Sequence, residues 1–147
     1  MILCYLALGS NLNSPQRQLQ LAIKQLQSLP HTHVKKIATF YKNQAVGRKS
    51  QPSFYNTVVE ISTTLPPEKL LAKCQEIERK QGRIRRVRWS ARTIDIDILL
   101  YDNQVIKRPY LVIPHPQLLN RDFVLIPLIE IAPAIRLPNG QPIGLKV

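Results

Sequence analysis

Residues Ile94-Asp95-Ile96-Asp97-Ile98 alternate strictly between apolar and acidic, and few patterns constrain a fold more tightly. Side chains on a β-strand point to opposite faces in turn. Ile94, Ile96, Ile98 and Leu100 are therefore expected on one face and Asp95 and Asp97 on the other. Such a strand requires a sheet with one face covered and the other able to hold charge. Leu99 and Tyr101 are expected to continue the acidic face, so that face is not simply the water side. Two carboxylates about 6–7 Å apart on a half-buried face repel by roughly 2–3 kcal/mol at an effective dielectric near 20. A cation between them removes that repulsion, and hard divalent ions prefer oxygen ligands and bring phosphates with them. A solvated acidic face is the plainer alternative. The arginines just upstream favour a site.

Those arginines dominate the charge balance. The 147-residue chain carries 21 Lys+Arg against nine acids, a formal charge of +12. Arg79, Lys80, Arg83, Arg85, Arg86, Arg88 and Arg92 supply seven of those charges within one acid-free stretch. A basic chain seeks polyanions: nucleic acid, a membrane surface or a phosphorylated small molecule. Because more than half of the excess is local, it points to a site. A solvated helix end remains the simpler reading for Arg85, Arg86 and Arg88.

The length suits one domain over residues 1–147. No apolar run approaches the ~20 residues of a membrane span. The start, Met1-Ile2-Leu3-Cys4, lacks a basic leader and a cleavage signal, so no signal peptide is expected. Cys4 and Cys74 lie in apolar patterns and are expected as buried thiols in a reducing cytoplasm.

The chain divides into alternating elements. Residues 2–8 read as a buried strand ending at Gly9-Ser10-Asn11. Ser14-Pro15 offers an N-cap and a proline at the first helical position, and Leu19, Ala22, Ile23, Leu26 and Leu29 predict a helix over 15–29. A second strand is expected at 34–41 and a polar loop at 42–53. A third strand at 55–63 puts Tyr55, Thr57, Val59 and Ile61 on one face and Asn56, Val58 and Glu60 on the other. Pro67 opens a second helix striped by Leu70, Leu71, Cys74 and Ile77, which Gly82 closes. The acidic strand spans 93–101. A hairpin through Val105–Val112 and a short helix near 124–131 follow. Strand, helix, strand, strand, helix, strand is the split βαβ order. It predicts an α+β, ferredoxin-like antiparallel sheet with two helices on one face and the active site on the other.

Four motifs occur in order: Leu8-Gly9-Ser10-Asn11-Leu12, Phe54-Tyr55-Asn56, Arg92-Thr93-Ile94-Asp95-Ile96-Asp97-Ile98 and Ile113-Pro114-His115. Together, over residues 1–140, they resemble the 6-hydroxymethyl-7,8-dihydropterin pyrophosphokinase family of folate biosynthesis. The resemblance implies the ferredoxin-like fold and transfer of pyrophosphate from MgATP to the pterin hydroxymethyl, releasing AMP. It implies that Asp95 and Asp97 hold two Mg²⁺ ions and that Arg83 and Arg92 contact the triphosphate. Gln75, Glu78, Arg85, Trp89, Ile98, His115 and Arg121 are implied around ATP. Asn43, Gln44, Val46, Asn56, Asp95 and Trp89 are implied around the pterin, whose ring would lie between Phe54 and Phe123. The chain departs from the family pattern in having Ser90-Ala91 for Gly-Pro, Asn43-Gln44-Ala45-Val46-Gly47 for a Pro-rich loop start, and Tyr110 and Val112 near the nucleotide.

The residue types fit that chemistry unaided. A flat heteroaromatic ring wants stacking partners and a polar edge contact, which Phe54, Phe123 and Asn56 can supply. Either phenylalanine equally suits a core. His115 between two prolines suits a structural turn and a phosphate contact equally. With no P-loop motif, phosphate binding would rest on arginine and magnesium. The expected partners are ATP and the pterin, with no nucleic acid or membrane, and a monomer is expected. The rival reading is an RRM-like nucleic-acid-binding module on the same scaffold, which would need exposed aromatics where Asp95 and Asp97 stand.

Overall fold

The computed structural model describes residues 1–43, 53–82 and 93–144. Strand β1 (Ile2–Ser10) is followed by α1 (Pro15–Gln27), β2 (Thr32–Ile37), β3 (Tyr41–Asn43), β4 (Phe54–Thr63), α2 (Pro67–Lys80) and β5 (Asp95–Tyr101). Then come a hairpin of β6 (Ile106–Arg108) and β7 (Leu111–Ile113), a 3-10 turn at Leu118–Asn120 and α3 (Asp122–Ile131). The long strands take the order β2-β4-β1-β5, every pair antiparallel, with β3 also joined to β4. Two interleaved βαβ units produce that order, as the element sequence predicts.

The periodicities explain the layers. Cys4, Leu6 and Leu8 of β1, Val59 and Ile61 of β4, and Ile94, Ile96 and Ile98 pack beneath the stripes of α1 and α2. Burying each such leucine or isoleucine is worth roughly 1.5–3 kcal/mol. A third helix, α3, lies on the other face. There Val124, Leu125, Leu128 and Ile131 meet Tyr5, Val58, Leu99 and Leu100. The sheet thus has two helices on one side, as expected, and a third covering part of the other. The remainder of that face is where Asp95 and Asp97 emerge.

Three local expectations are corrected. Strict alternation fails within β5: Tyr5 pairs with Leu100 and Leu6 with Ile98, so Leu99 is an extra, bulged residue. The bulge sends Leu100 to the α3 side and Tyr101 to the α1/α2 side, the reverse of the simple reading. The strand expected at 34–41 is two strands. Ile37 pairs with Val59 and Tyr41 with Asn56, four steps against three on β4, so the chain kinks at 38–40. There the Thr57 hydroxyl donates to the Ala38 carbonyl at 2.9 Å. Ser14 does not cap α1 with its side chain. Asn13 and Ser14 both adopt left-handed backbone (φ 54 and 61), which a capping residue does not use. Gln18 Nε2 instead donates to the Asn13 carbonyl at 3.0 Å.

Candidate active site

Register places the site's polar groups in rows across three strands. Gly9 of β1 stands between Asn56 of β4 and Asp95 of β5, and Ala7 between Val58 and Asp97. The two smallest side chains of β1 therefore floor a trough with an amide on one bank and two carboxylates on the other. Asn56 is buried, and its Nδ2 donates to Oδ1 of Asn43 on β3. Phe54, half-buried, shares this face because it lies two residues from Asn56. Its register partner is Asn43.

The bulge in β5 positions the fourth member. The carbonyl of bulged Leu99 accepts the backbone N–H of His115 at 3.0 Å, which anchors the turn after β7. His115 Nδ1 accepts the N–H of Gln117 at 3.1 Å, so the neutral ring carries its proton on Nε2. That nitrogen stands 3.9 Å from Asp97 Oδ2. Burial pushes the imidazole below its ordinary value; the Asp97 carboxylate opposes this and the nearby Arg121 guanidinium reinforces it. The balance favours a neutral donor. Arg121 precedes α3 and lies over the Phe123 ring, 5.8 Å from its centroid, and Phe123 packs at the margin of the α3-side core. Asn56, Asp95, Asp97, His115, Arg121 and Phe123 thus share one side of the sheet.

The acids fit a divalent cation. They are same-face oxygen donors over a floor of Gly9 and Ala7, and the Asp97 side chain is 49% exposed. Among the described residues no three His, Cys, Asp or Glu side chains group as a metal site. An ion here would fill its coordination from phosphate oxygens and water, the habit of magnesium bound with a nucleotide.

The remaining candidates are dispersed. Gln75 is exposed on α2. Glu78, one turn on, is buried and its carboxylate accepts the Ile96 N–H at 2.9 Å along the outer edge of β5. Ile98 points into the core beneath the sheet, so only its backbone can meet a ligand. Gln44, Val46, Arg83, Arg85, Trp89 and Arg92 lie outside the described residues.

Sequence reasoning missed the supports. Glu130 of α3 accepts the Tyr41 hydroxyl at 2.5 Å and both the N–H and hydroxyl of Thr39, tying β3 to α3. Those bonds hold Glu130 below the ordinary carboxylate range, the Tyr41 hydroxyl contributing most. No spacing signals a contact across ninety residues. A cavity of about 620 Å³ lined by Ser14, Arg17, Lys24 and Tyr55 opens beside α1, away from the acids.

Comparison with known proteins converges on one family. The model of 7,8-dihydro-6-hydroxymethylpterin-pyrophosphokinase (HPPK) matches residues 5–133. The 2-amino-4-hydroxy-6-hydroxymethyldihydropteridine pyrophosphokinase of Haemophilus influenzae is 49% identical over 141 residues, covering 96% of this chain and 88% of that protein. The enzyme of the same name from Pseudomonas aeruginosa is 43% identical, covering 93% and 85%. A crystal structure of an HPPK-DHPS in complex with substrates superposes with a TM-score of 0.71 at 14% identity, over 97% of this chain and 42% of that one. That last likeness speaks for the fold alone. The nucleic-acid-binding alternative gains nothing from these matches.

Proposed function

Since the chain belongs to the 7,8-dihydro-6-hydroxymethylpterin-pyrophosphokinase family, we propose how its residues divide the work of an ATP-dependent diphosphotransferase of folate biosynthesis. The pterin hydroxymethyl oxygen forms a bond to the β-phosphorus of ATP. The bond from that phosphorus to the α,β-bridging oxygen breaks, AMP leaves with the electron pair, and the hydroxyl proton passes to water. The observation that carries this division is the trough: an amide on one bank, two acids on the other and only Gly9 and Ala7 between.

Asn56 reads the polar edge of the pterin, and Phe54 and Phe123 lie against its faces. Asn43 orients Asn56, and Gln44, Val46 and Trp89 are assigned further pterin contacts from the family resemblance. Asp95 and Asp97 hold magnesium, two ions in our reading, with ATP. When bound, magnesium supplies neutralisation of the triphosphate charge. Arg83 and Arg92 grip phosphate oxygens, Arg85 and Arg121 add positive charge, and His115 offers its Nε2–H as a neutral donor. Gln75, Glu78 and the Ile98 backbone border the nucleotide. Rate comes chiefly from holding the hydroxyl in line with the leaving oxygen and from charge placed where the transition state develops it. Asp95 is not assigned as a base, because a metal-bound carboxylate is a poor one. The enzyme is read as a monomer.

The test is AMP release from ATP in the presence of the hydroxymethyl-dihydropterin. AMP formed in step with pterin diphosphate is expected. ATP consumption without AMP, or none with both substrates present, overturns the reading.

A further inference from the structure

The acid bank is proposed to hold an ion; the amide bank is governed by a residue with no side chain. We propose that Gly9 is a positioning residue for pterin recognition, acting through Asn56. This rests on reading Asn56 as the pterin's edge partner.

Gly9 lies inside β1, where glycine weakens a strand and marks close approach of another group. It is not there for unusual backbone, since its φ lies outside the left-handed region. It is there for room. A Cβ at Gly9 would stand 2.7 Å from Asn56 Oδ1, with the next neighbours at 3.8 Å (Asn56 Cγ) and 3.9 Å (the Tyr55 carbonyl). The collision is therefore with one atom, the amide oxygen. An amide tip usually swings away from a methyl group, but this one is tethered, because Nδ2 donates to Asn43 Oδ1. Retreat from position 9 costs the bond to Asn43. Asn43 and the bare backbone of Gly9 thus fix the carboxamide from two sides. Nδ2 is engaged by Asn43, and Oδ1 lies over Gly9, where it can serve as an acceptor. A flat ring with N–H and amino donors along one edge is the ligand chemistry such an acceptor selects. Asp95, on the other side of Gly9, supplies none of the three nearest atoms, so the closest collision falls on the amide bank.

The experiment is a cycle of Gly9→Ala, Asn56→Ala and the double variant, with KM measured for each substrate. Gly9→Ala is expected to raise the pterin KM at least tenfold and leave the ATP KM within twofold. On an Asn56→Ala background it should add less than twofold, because the atom it displaces is gone. An equal rise in both KM values, or the same rise on both backgrounds, overturns the proposal. If Asn56→Ala raises the pterin KM and Gly9→Ala does not, the positioning role alone fails. If Asn56→Ala leaves it unchanged, the reading of Asn56 fails and takes this proposal with it. Should Gly9→Ala fail to fold while the double variant folds, the collision is established; should neither fold, Gly9 serves the backbone and the proposal is wrong.

Discussion

Nε2 of His115 stands 3.9 Å from Oδ2 of Asp97, close enough for the carboxylate to act on the ring's charge and far enough for another group to share the proton. The relationship derives from one surplus residue. Bulged Leu99 turns its carbonyl out to the His115 N–H, so the irregularity in β5 brings the turn after β7 beside the acid two residues earlier. Bulges re-aim side chains beside functional sites for this reason. The ring is kept neutral by burial and by Arg121, and a neutral Nε2–H can donate to a phosphate oxygen without adding charge.

Asp97→Ala should therefore damage turnover and spare the fold. The side chain is half exposed and outside both apolar clusters, so little packing is lost. With Asp97 in the proposed role of holding the nucleotide's cation, its removal is expected to cost several kcal/mol of transition-state stabilisation, or at least about a hundredfold in kcat. Steady-state AMP release measures it. Turnover within tenfold of the parent, at unchanged Tm, would rule out the assigned role.

How much of this was readable beforehand depends on where the pattern had contrast. In Ile94–Ile98 each residue differs in kind from its neighbour, so facing could be read directly, and it holds in the fold. In Ile98-Leu99-Leu100 every residue is apolar, so a slip of one position leaves no trace in the sequence. β4 was legible along most of its length because Asn56 and Glu60 mark the face opposite apolar Tyr55, Val59 and Ile61. Ser14-Pro15 has the composition of a cap, but two successive left-handed residues point it elsewhere. The hairpin and α3 could be expected, yet nothing local says that α3 crosses to the acid face. That is decided by its apolar residues meeting Tyr5, Val58, Leu99 and Leu100, with Glu130 bonded to Thr39 and Tyr41 beside them. The trough was half visible: the acids and Asn56 stand out by type, whereas Gly9 matters by what it lacks.

Tyr5 and Glu60 offer a stability test remote from the acids. The Tyr5 hydroxyl donates to Glu60 Oε2 at 2.6 Å, with both residues buried. Burial foremost, then this bond, pushes the phenol well above its ordinary range. Tyr5→Phe leaves a buried carboxylate short of a donor, at a cost of about 1–3 kcal/mol. A lower denaturation midpoint with an unchanged slope is expected. Tyr5→Phe combined with Glu60→Leu should recover part of the loss, since removing both polar partners costs less than orphaning one. A double variant no more stable than Tyr5→Phe would contradict this.

The Glu130 bonds to Thr39 and Tyr41 carry a pH signature. Its folded carboxyl titrates below the ordinary value of 4.5, so the bonds contribute fully above that pH. Their contribution is lost as pH falls below 4.5 and through the folded value. Glu130→Gln keeps an acceptor but cannot titrate. Its Tm should therefore fall less steeply than the parent's between pH 5 and about 3. Solvent screens so exposed a group, so the difference should be on the order of a degree or two. Parallel Tm–pH curves would show that the bonds do not couple to folding.

Cys4 and Cys74 make the last prediction, because the same packing that supports the site should silence them. Both are free, almost wholly buried in the core beneath α1 and α2, and each thiol is pushed up to about 12, chiefly by burial. At pH 8 a thiol of that strength is ionised to only about one part in ten thousand, and the thiolate is the reactive form. A disulfide reagent should thus find essentially no thiol in the native protein. Both cysteines should react once guanidinium unfolds it. Because reaction must await opening of the sheet–helix layer, the native rate should track global stability, and Tyr5→Phe should quicken it in proportion to the stability it loses. Fast native labelling insensitive to Tyr5→Phe would mean that this layer opens locally, without unfolding the strands that carry Gly9 and Asp97.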